Sequence, residues 1–392
     1  MKRSFLDLGR QPLANNFKKK KNKSFYNLKL FFDTKTKLVS INKSFDKKMM
    51  FNKTYPYRSS LSLTIKKHYR DLSIKLKKNI RFKNILEIGS NDGAFARNFD
   101  KKKIICVEPC LEVGNELKKK KFKVFIEYFD NKLTKKLKLK YQKFDLIFSA
   151  NTITHIANLR EVLKNISNLL SEDGVFVLEE PSFLECLKKN AFDQFYNEHL
   201  YVLSLISLKN ILRTTNLKIF KIENINVHGG SLRYYIAHKE NNKFKISKNL
   251  TNQLKTEINA GLNKFTTYKD FAKNVRRAKK DLIKIFRDIK QKNGKIVGYG
   301  ASAKSVTVLN YCNLKEDFFE YFLDTTKNKI NKYLPGTGIL VKKYQKEILD
   351  KYTYYFLGAW NFKKEIFKKE KQIIEKGAKF ILHLPAPHIY KK

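Results

Sequence analysis

Long apolar runs are missing from this chain: none of its 392 residues sits in a stretch approaching the roughly 20 apolar side chains that a membrane span requires. The opening segment "MKRSFLDLGR" becomes charged before any apolar run develops, so a secretory leader is not expected. Cysteine is sparse, and Cys106, Cys110, Cys186 and Cys312 stand apart without C-x-x-C spacing. That distribution fits reduced thiols in a cytoplasm and argues against a disulfide framework or a zinc site. Arginine is scarce too, although the formal net charge is +47. The surplus is lysine spread through nearly every helix-like and loop-like segment, which reads as solvated faces rather than a phosphate-reading surface. The densest run, "KKKKNK" at 18–23, reads as a solvated loop, and no RRM, KH or helix-turn-helix pattern supports a nucleic-acid partner. A smaller consequence remains: excess positive potential attracts a negatively charged small substrate.

What is present is core-forming material: 42% hydrophobic and 13% aromatic residues, enough for two or three domains. Residues 1–60 mix short apolar pieces with turns and lysine clusters and read as a small irregular module. Residues 61–240 alternate strand-like and helix-like runs, as an α/β sheet does. Residues 241–290 carry apolar positions at helical spacing without proline, and read as a helical connector. From 291 to 392 the alternation resumes in "KIVGYG", "DFFEYFLD", "YTYYFLGAW" and "KFILHLP", a second and smaller α/β unit. The expected fold class is therefore α/β, with a central α/β domain, a smaller carboxyl-terminal α/β unit and an amino-terminal module.

"NILEIGSNDGAFARNF" at 84–99 reads as a strand, a glycine turn and a helix that starts at Ala94 to Phe99. A pyrophosphate-binding turn wants G-x-G-x-x-G so that backbone can close on the phosphates. Here Gly89 and Gly93 bracket Asn91 and Asp92, which suits a cofactor bearing positive charge and no phosphate. Glu87 precedes the turn, and Glu108 ends the next strand, where a carboxylate holds a ribose diol. A sulfonium with an amino group and a ribose, S-adenosylmethionine, meets all three features. "KFDLIFSANTITHI" adds a further strand with Ser149, Ala150 and Asn151 at its carboxyl end, where open α/β sheets bind ligands. An α/β domain that binds another nucleotide, or nothing, is the competing reading.

Eight stretches, in order, resemble one family. They are "FLDLGRQPLANNF" (5–17), "YPYRSSLSLT" (55–64), "LEIGSNDGAF" (86–95), "ANTITHI" (150–156), "YNEHLY" (196–201), "VHGGSLR" (227–233), "GYGASAKSVTVLNYC" (298–312) and "LGAWNFKKEI" (357–366). The chain is similar throughout to the S-adenosylmethionine-dependent sugar C-methyltransferases, which act on nucleotide-linked keto-sugars. That resemblance implies a class I methyltransferase domain, a carboxyl-terminal Rossmann-like nucleotide-sugar domain and an amino-terminal zinc module. The chain departs from the family at the zinc module. Only four residues precede "FLDLG", and "FFDTKTK" at 31–37 has no cysteine where the second ligand pair would fall. Zinc is expected to be absent, since a structural site takes about four Cys or His ligands.

Carbon methylation beside a ketone needs a base, a donor for the enolate oxygen and exclusion of water. "FYNEHLYVLS" puts polar Tyr196, Glu198 and His199 in apolar company, an unusual expense unless a proton moves there. By the resemblance, His199 is the base, Tyr196 and Glu198 position it or the sugar, His155 faces the enolate oxygen and Tyr57 closes over the substrate. A structural polar network is the alternative for that cluster. His228, Ser231 and Arg233 of "VHGGSLR" belong either to a tight strand turn or to the substrate. Gly298, Gly300, Ala301 and Lys304 form a strand-to-helix junction that holds a diphosphate or simply packs. Three alternatives stand beside carbon methylation: methyl transfer to oxygen or nitrogen, a nucleic-acid-binding methyltransferase, and a relative that binds cofactor without turnover. Nothing in the sequence names the sugar, the carbon, the nucleotide or the oligomeric state.

Overall fold

The computed structural model describes residues 1–21, 24–42, 46–51 and 55–391. The last two positions of the basic run 18–23 lie outside them. Three sheets organise the chain. The central one has seven strands, and its order, counted along the chain within the sheet, is 3-2-1-4-5-7-6. Strand 1 is Ile85–Ile88, flanked in parallel by Ile104–Val107 and Phe144–Ala150. Only strand 7, Ser231–His238, runs antiparallel to its neighbours. Its inner strands are buried along their length (Ile85, Leu86 and Ile88 are all within 1% of fully covered), as expected when helices cover both faces.

The carboxyl-terminal sheet repeats the plan with six strands in the order 3-2-1-4-5-6. Strand 1 is Ile296–Tyr299, between Phe322–Asp324 and Tyr354–Leu357, and only the last strand, His388–Tyr390, is antiparallel. In both sheets the order reverses between strands 1 and 4. Open α/β sheets bind ligands at that reversal, beyond the carboxyl ends of the strands.

The amino-terminal region departs from the irregular module expected. Lys2–Gln11, Tyr26–Asp33 and Val39–Ile41 form an antiparallel sheet, completed by Tyr201–Val202. In "YNLKLFFD" Leu28, Leu30 and Phe32 are buried while Lys29 is exposed, a period-two pattern that lysine clusters on either side obscure. Helices Lys248–Asn259 and Phe265–Gln291 link the two larger sheets. The longer helix buries one stripe, including Phe271, Val275, Leu282 and Phe286, in a core that runs from Phe5 to Leu384 and joins amino-terminal and carboxyl-terminal elements.

The helix expected to start at Ala94 is also different: only a 3-10 turn, Ala96–Asn98, forms there. Arg97 Nε donates to the Gly93 carbonyl, and Asn98 Nδ2 donates to the carbonyls of Ala94 and Phe95. Side chains take the acceptors that a further helical turn would have used, and the segment stops.

Candidate active site

The carboxyl ends of both parallel sheets open on one cavity of about 890 Å³. Glu87, Gly89, Asn91, Glu108, Ala150 and Asn151 line it from the central sheet. Gly89 has φ +76, and a Cβ there would fall 2.1 Å from Thr152 Oγ1, so the turn tolerates no side chain. Glu108 accepts from the backbone N–H of Asn91 at 2.8 Å and of Cys110 at 2.9 Å, which fixes its carboxylate at the cavity wall. Glu87 is buried with Oε2 unpartnered, and burial together with Glu108 and Asp92 pushes its carboxyl well above the usual range. A buried acid with one oxygen left without a donor, beside two other acids, is complementary to a cation. These residues fit S-adenosylmethionine: Glu87 would meet a positive group and Glu108 a ribose diol.

Two of the expected cofactor residues do not line the cavity. Asp92 turns away and accepts from the backbone N–H and the hydroxyl of Ser60, while Asn91 Oδ1 accepts from Ser59 N at 2.9 Å. Both side chains therefore dock the 57–62 segment, which carries cavity-lining Tyr57, onto the glycine turn. Gly93 is a packing position, since a Cβ there would meet Leu117 at 2.7 Å.

Tyr196, His199 and His155 meet on the facing wall. His199 Nδ1 lies 2.7 Å from the Gln194 carbonyl, which can only accept, so Nδ1 carries the proton. Nε2 is then the lone-pair nitrogen and accepts from Tyr196 Oη at 2.6 Å. Burial, helped by His155 and Lys304, holds the imidazolium pKa well below its usual value, so His199 is neutral across physiological pH. The His155 ring stacks on His199 at 5.0 Å and on Phe51 at 5.5 Å. Its Nε2 is buried without a partner, and burial lowers its pKa to about 4.

Glu198, expected beside the base, points out of the back of this wall. Its carboxyl accepts from Asn15 Nδ2 at 2.8 and 3.0 Å and from Tyr55 Oη at 3.0 Å. In the turn that contains "YNEH", positions 196 and 199 share a side and position 198 faces the opposite one. Glu198 thus ties the amino-terminal region to the site rather than touching the cavity.

From the carboxyl-terminal sheet, Gly300 and Lys304 line the cavity, whereas Gly298 and Ala301 do not. Gly298 lies within its strand, where a Cβ would strike the Phe322 ring at 2.2 Å. Ala301 N–H donates to Asp324 Oδ2 at 2.9 Å, and Ser302 and Ser305 cap their own helix, so these donors are not free for a diphosphate. Lys304 is buried, is in reach of no hydrogen-bond or ion-pair partner among the described residues, and has its pKa lowered by burial.

Of "VHGGSLR", only His228 reaches the cavity. Ser231 Oγ donates to the Val227 carbonyl, and Arg233 is spent on Glu179 (2.5 Å) and Glu223 (2.8 Å) inside the sheet. Sequence reasoning missed Asn15, Tyr55 and Asp324, which lie far along the chain from the motifs they serve. Among the described residues no group of three or more His, Cys, Asp or Glu is placed to hold a metal ion, and no helix is long and apolar enough to cross a membrane.

Comparison with known proteins gives matches of the same kind over both larger units. A model described as "Methyltransferase domain" matches residues 59–222, and one described as "C-methyltransferase C-terminal domain" matches 226–385. C-methyltransferase NovU of Streptomyces niveus is 27% identical over 307 residues, 78% of this chain and 73% of that protein. Among solved structures, an S-adenosylmethionine-dependent methyltransferase from Clostridium acetobutylicum is 16% identical with TM-score 0.35, covering 44% of this chain and 91% of its own. A possible histamine N-methyltransferase from Thermotoga maritima is 20% identical with TM-score 0.35, covering 44% and 89%. The two adjoining family matches, the relative aligned over 78% of this chain and the glycine turn with its two strand-end acids agree: the chain is an S-adenosylmethionine-dependent methyltransferase similar to the C-methyltransferases.

Proposed function

We propose that the chain methylates a carbon next to the ketone of a nucleotide-linked keto-sugar, with His199 as the base. One observation carries the reading: a neutral imidazole with its lone pair on Nε2 lies in the same cavity as the glycine turn. Bound S-adenosylmethionine supplies an electrophilic methyl group. The chain's own residues do the rest. Nε2 takes the proton from the carbon beside the ketone, leaving the electron pair in an enolate. Tyr196 Oη sits on that lone pair and yields to the substrate when it arrives. His155 Nε2, buried and unpartnered, faces the enolate oxygen as a donor. The cost of charging His199 falls as negative charge develops beside it, so a low resting pKa is compatible with its role.

The substrate's anionic part meets Lys304. An unpaired ammonium in a buried site is costly unless an anion joins it. The sugar assignment is supported by the family resemblance and by a cavity that spans two sheet reversals, one for the nucleoside cofactor and one for a nucleotide-linked substrate.

The test is solvent-deuterium incorporation, read by mass spectrometry on a panel of nucleotide-linked 4-keto-sugars. Wild type should incorporate deuterium beside the ketone and gain one methyl with cofactor. His199→Ala should lose both by ~10²-fold or more, the usual contribution of a general base. Methyl transfer that proceeds without exchange and survives His199→Ala would move the reading to an oxygen or nitrogen acceptor.

A further inference from the structure

Gln194 holds His199 through a backbone carbonyl, and a backbone carbonyl is only as fixed as the turn that presents it. That turn is the single 3-10 turn Phe192–Gln194, and what anchors it comes from the other end of the chain. Asp193 is fully buried. Its Oδ2 accepts from Trp360 Nε1 at 2.5 Å and from His383 Nε2 at 3.0 Å. Trp360 belongs to "LGAWN", a stretch to which the proposed chemistry gives no task, and His383 follows strand Lys379–Leu382 of the carboxyl-terminal sheet.

The same indole presses on the neighbouring loop: a Cβ on Gly229, at φ +95, would meet it at 2.5 Å. Gln194 Nε2 donates to the His228 carbonyl of that loop at 2.7 Å. Four segments, around positions 193, 229, 360 and 383, thus converge one residue from the carbonyl that sets the His199 tautomer.

We infer that Asp193, clamped by Trp360 and His383, is a positioning residue for His199, so that the carboxyl-terminal unit aims the base as well as receiving substrate. Both N–H donors meet on Asp193 Oδ2 while Oδ1 is buried without a partner, so releasing either donor leaves this buried group still less satisfied and the arrangement is held rigid. Its rigidity passes along one peptide to the Gln194 carbonyl, which keeps the proton on Nδ1 and the lone pair on Nε2. The groups facing the His199 ring are Tyr196, His155 and Lys304, with His228 further along the same wall. None of them accepts from Nδ1, and the Tyr196 hydroxyl on Nε2 can donate or accept, so it follows whichever tautomer the Gln194 carbonyl sets. The inference rests on His199 being the base only for its catalytic consequence; the geometry it asserts does not depend on that reading.

The experiment therefore has two readouts. The first is ¹⁵N-histidine NMR on the full chain, which has seven histidines, with the His199 signals identified as those lost in His199→Asn. Wild type should show one Nδ1–H tautomer that does not titrate near pH 6.5. Asp193→Asn and His383→Leu should show mixed tautomers and titration moving toward the ordinary histidine value of about 6.5. His383→Gln, which keeps a donor to the carboxylate, should restore the wild-type pattern. The second readout is deuterium exchange on the 4-keto-sugar panel. There Asp193→Asn should lower kcat ~10-fold with KM within twofold, a fraction of what a general base contributes.

Unchanged His199 signals in both Asp193→Asn and His383→Leu would overturn the inference, as would a loss confined to KM. If His199→Ala keeps exchange while the NMR changes occur, the base assignment fails and the clamp stands. Cofactor binding, which uses the opposite wall, reports that each variant is folded. Should Asp193→Asn fail that check, the contrast of His383→Leu with His383→Gln decides.

Discussion

The two reversal points of this protein are built alike and used differently. In the central sheet, the N–H of Asn91, two residues after the turn glycine, donates to Glu108 at the end of strand 2. In the carboxyl-terminal sheet, the N–H of Ala301, one residue after its glycine, donates to Asp324 at the end of strand 2. Each acid thereby fixes its loop. The difference lies in what remains unsatisfied. The central site keeps one acid oxygen without a donor, Glu87 Oε2, and is complementary to a cation. The carboxyl-terminal site keeps a partnerless ammonium, Lys304, and is complementary to an anion. One architecture can thus be specialised by a single uncompensated charge. A sulfonium and a diphosphate could be sorted to opposite ends of one cavity before any shape-specific contact forms.

The sharpest test of that comparison replaces the two turn glycines. Gly89→Ala should abolish cofactor binding in calorimetry, because its Cβ collides with Thr152 at a left-handed φ. Gly300→Ala, at φ +84 with Ala359 Cβ 2.6 Å away, should spare the cofactor Kd and raise the keto-sugar KM. If both variants lose the cofactor alone, the two ends are not separate sites. A smaller effect comes from the paired acids. Glu108→Gln should weaken cofactor binding by about tenfold, the value of one charge-assisted hydrogen bond. Asp324→Asn should move only the keto-sugar KM. Exchanged outcomes would reverse the assignment of the two ends.

The smallest effect concerns the wall that the two ends share. Burial raises the Glu198 carboxyl from 4.5 to about 7, so the folded state holds its proton more tightly than the unfolded one. That stability is present below pH 4.5 and is lost as pH rises through 7, on the order of 3 kcal/mol in total. Glu180, raised likewise to about 7 under the Thr152–Thr154 loop, contributes the same sign. In denaturant unfolding, the stability of wild type relative to Glu198→Gln should therefore fall as pH rises from 5 to 8. An unaltered pH dependence would mean that Glu198 is not held in a buried site.

Much of the fold was legible because strand, glycine and strand-end acid lie close together in the chain: "LEIGSNDG" carries its own geometry. Facing direction was not. Asn91 and Asp92 are adjacent, yet the first lines the cavity and the second bonds Ser60, because a residue at positive φ turns the backbone between them. Glu198 and His199 are likewise adjacent and point to opposite sides of one wall. The Asp193–His383 contact spans 190 residues, and no local pattern announces it. Arg233 reads as a substrate residue from its motif, but only a neighbouring strand shows that Glu179 already holds it.

The short strand Tyr201–Val202 carries a consequence for how the protein is made. It completes the amino-terminal sheet by pairing with Val39 and Ser40. During synthesis the first three strands emerge on the order of ten seconds before their partner, at typical elongation rates. For that interval the Val39–Ile41 edge is an open template, and the apolar face of Leu28, Leu30 and Phe32 has no helix Phe265–Gln291 to cover it. The nascent chain is therefore exposed to edge-to-edge pairing until Tyr201–Val202 has been made.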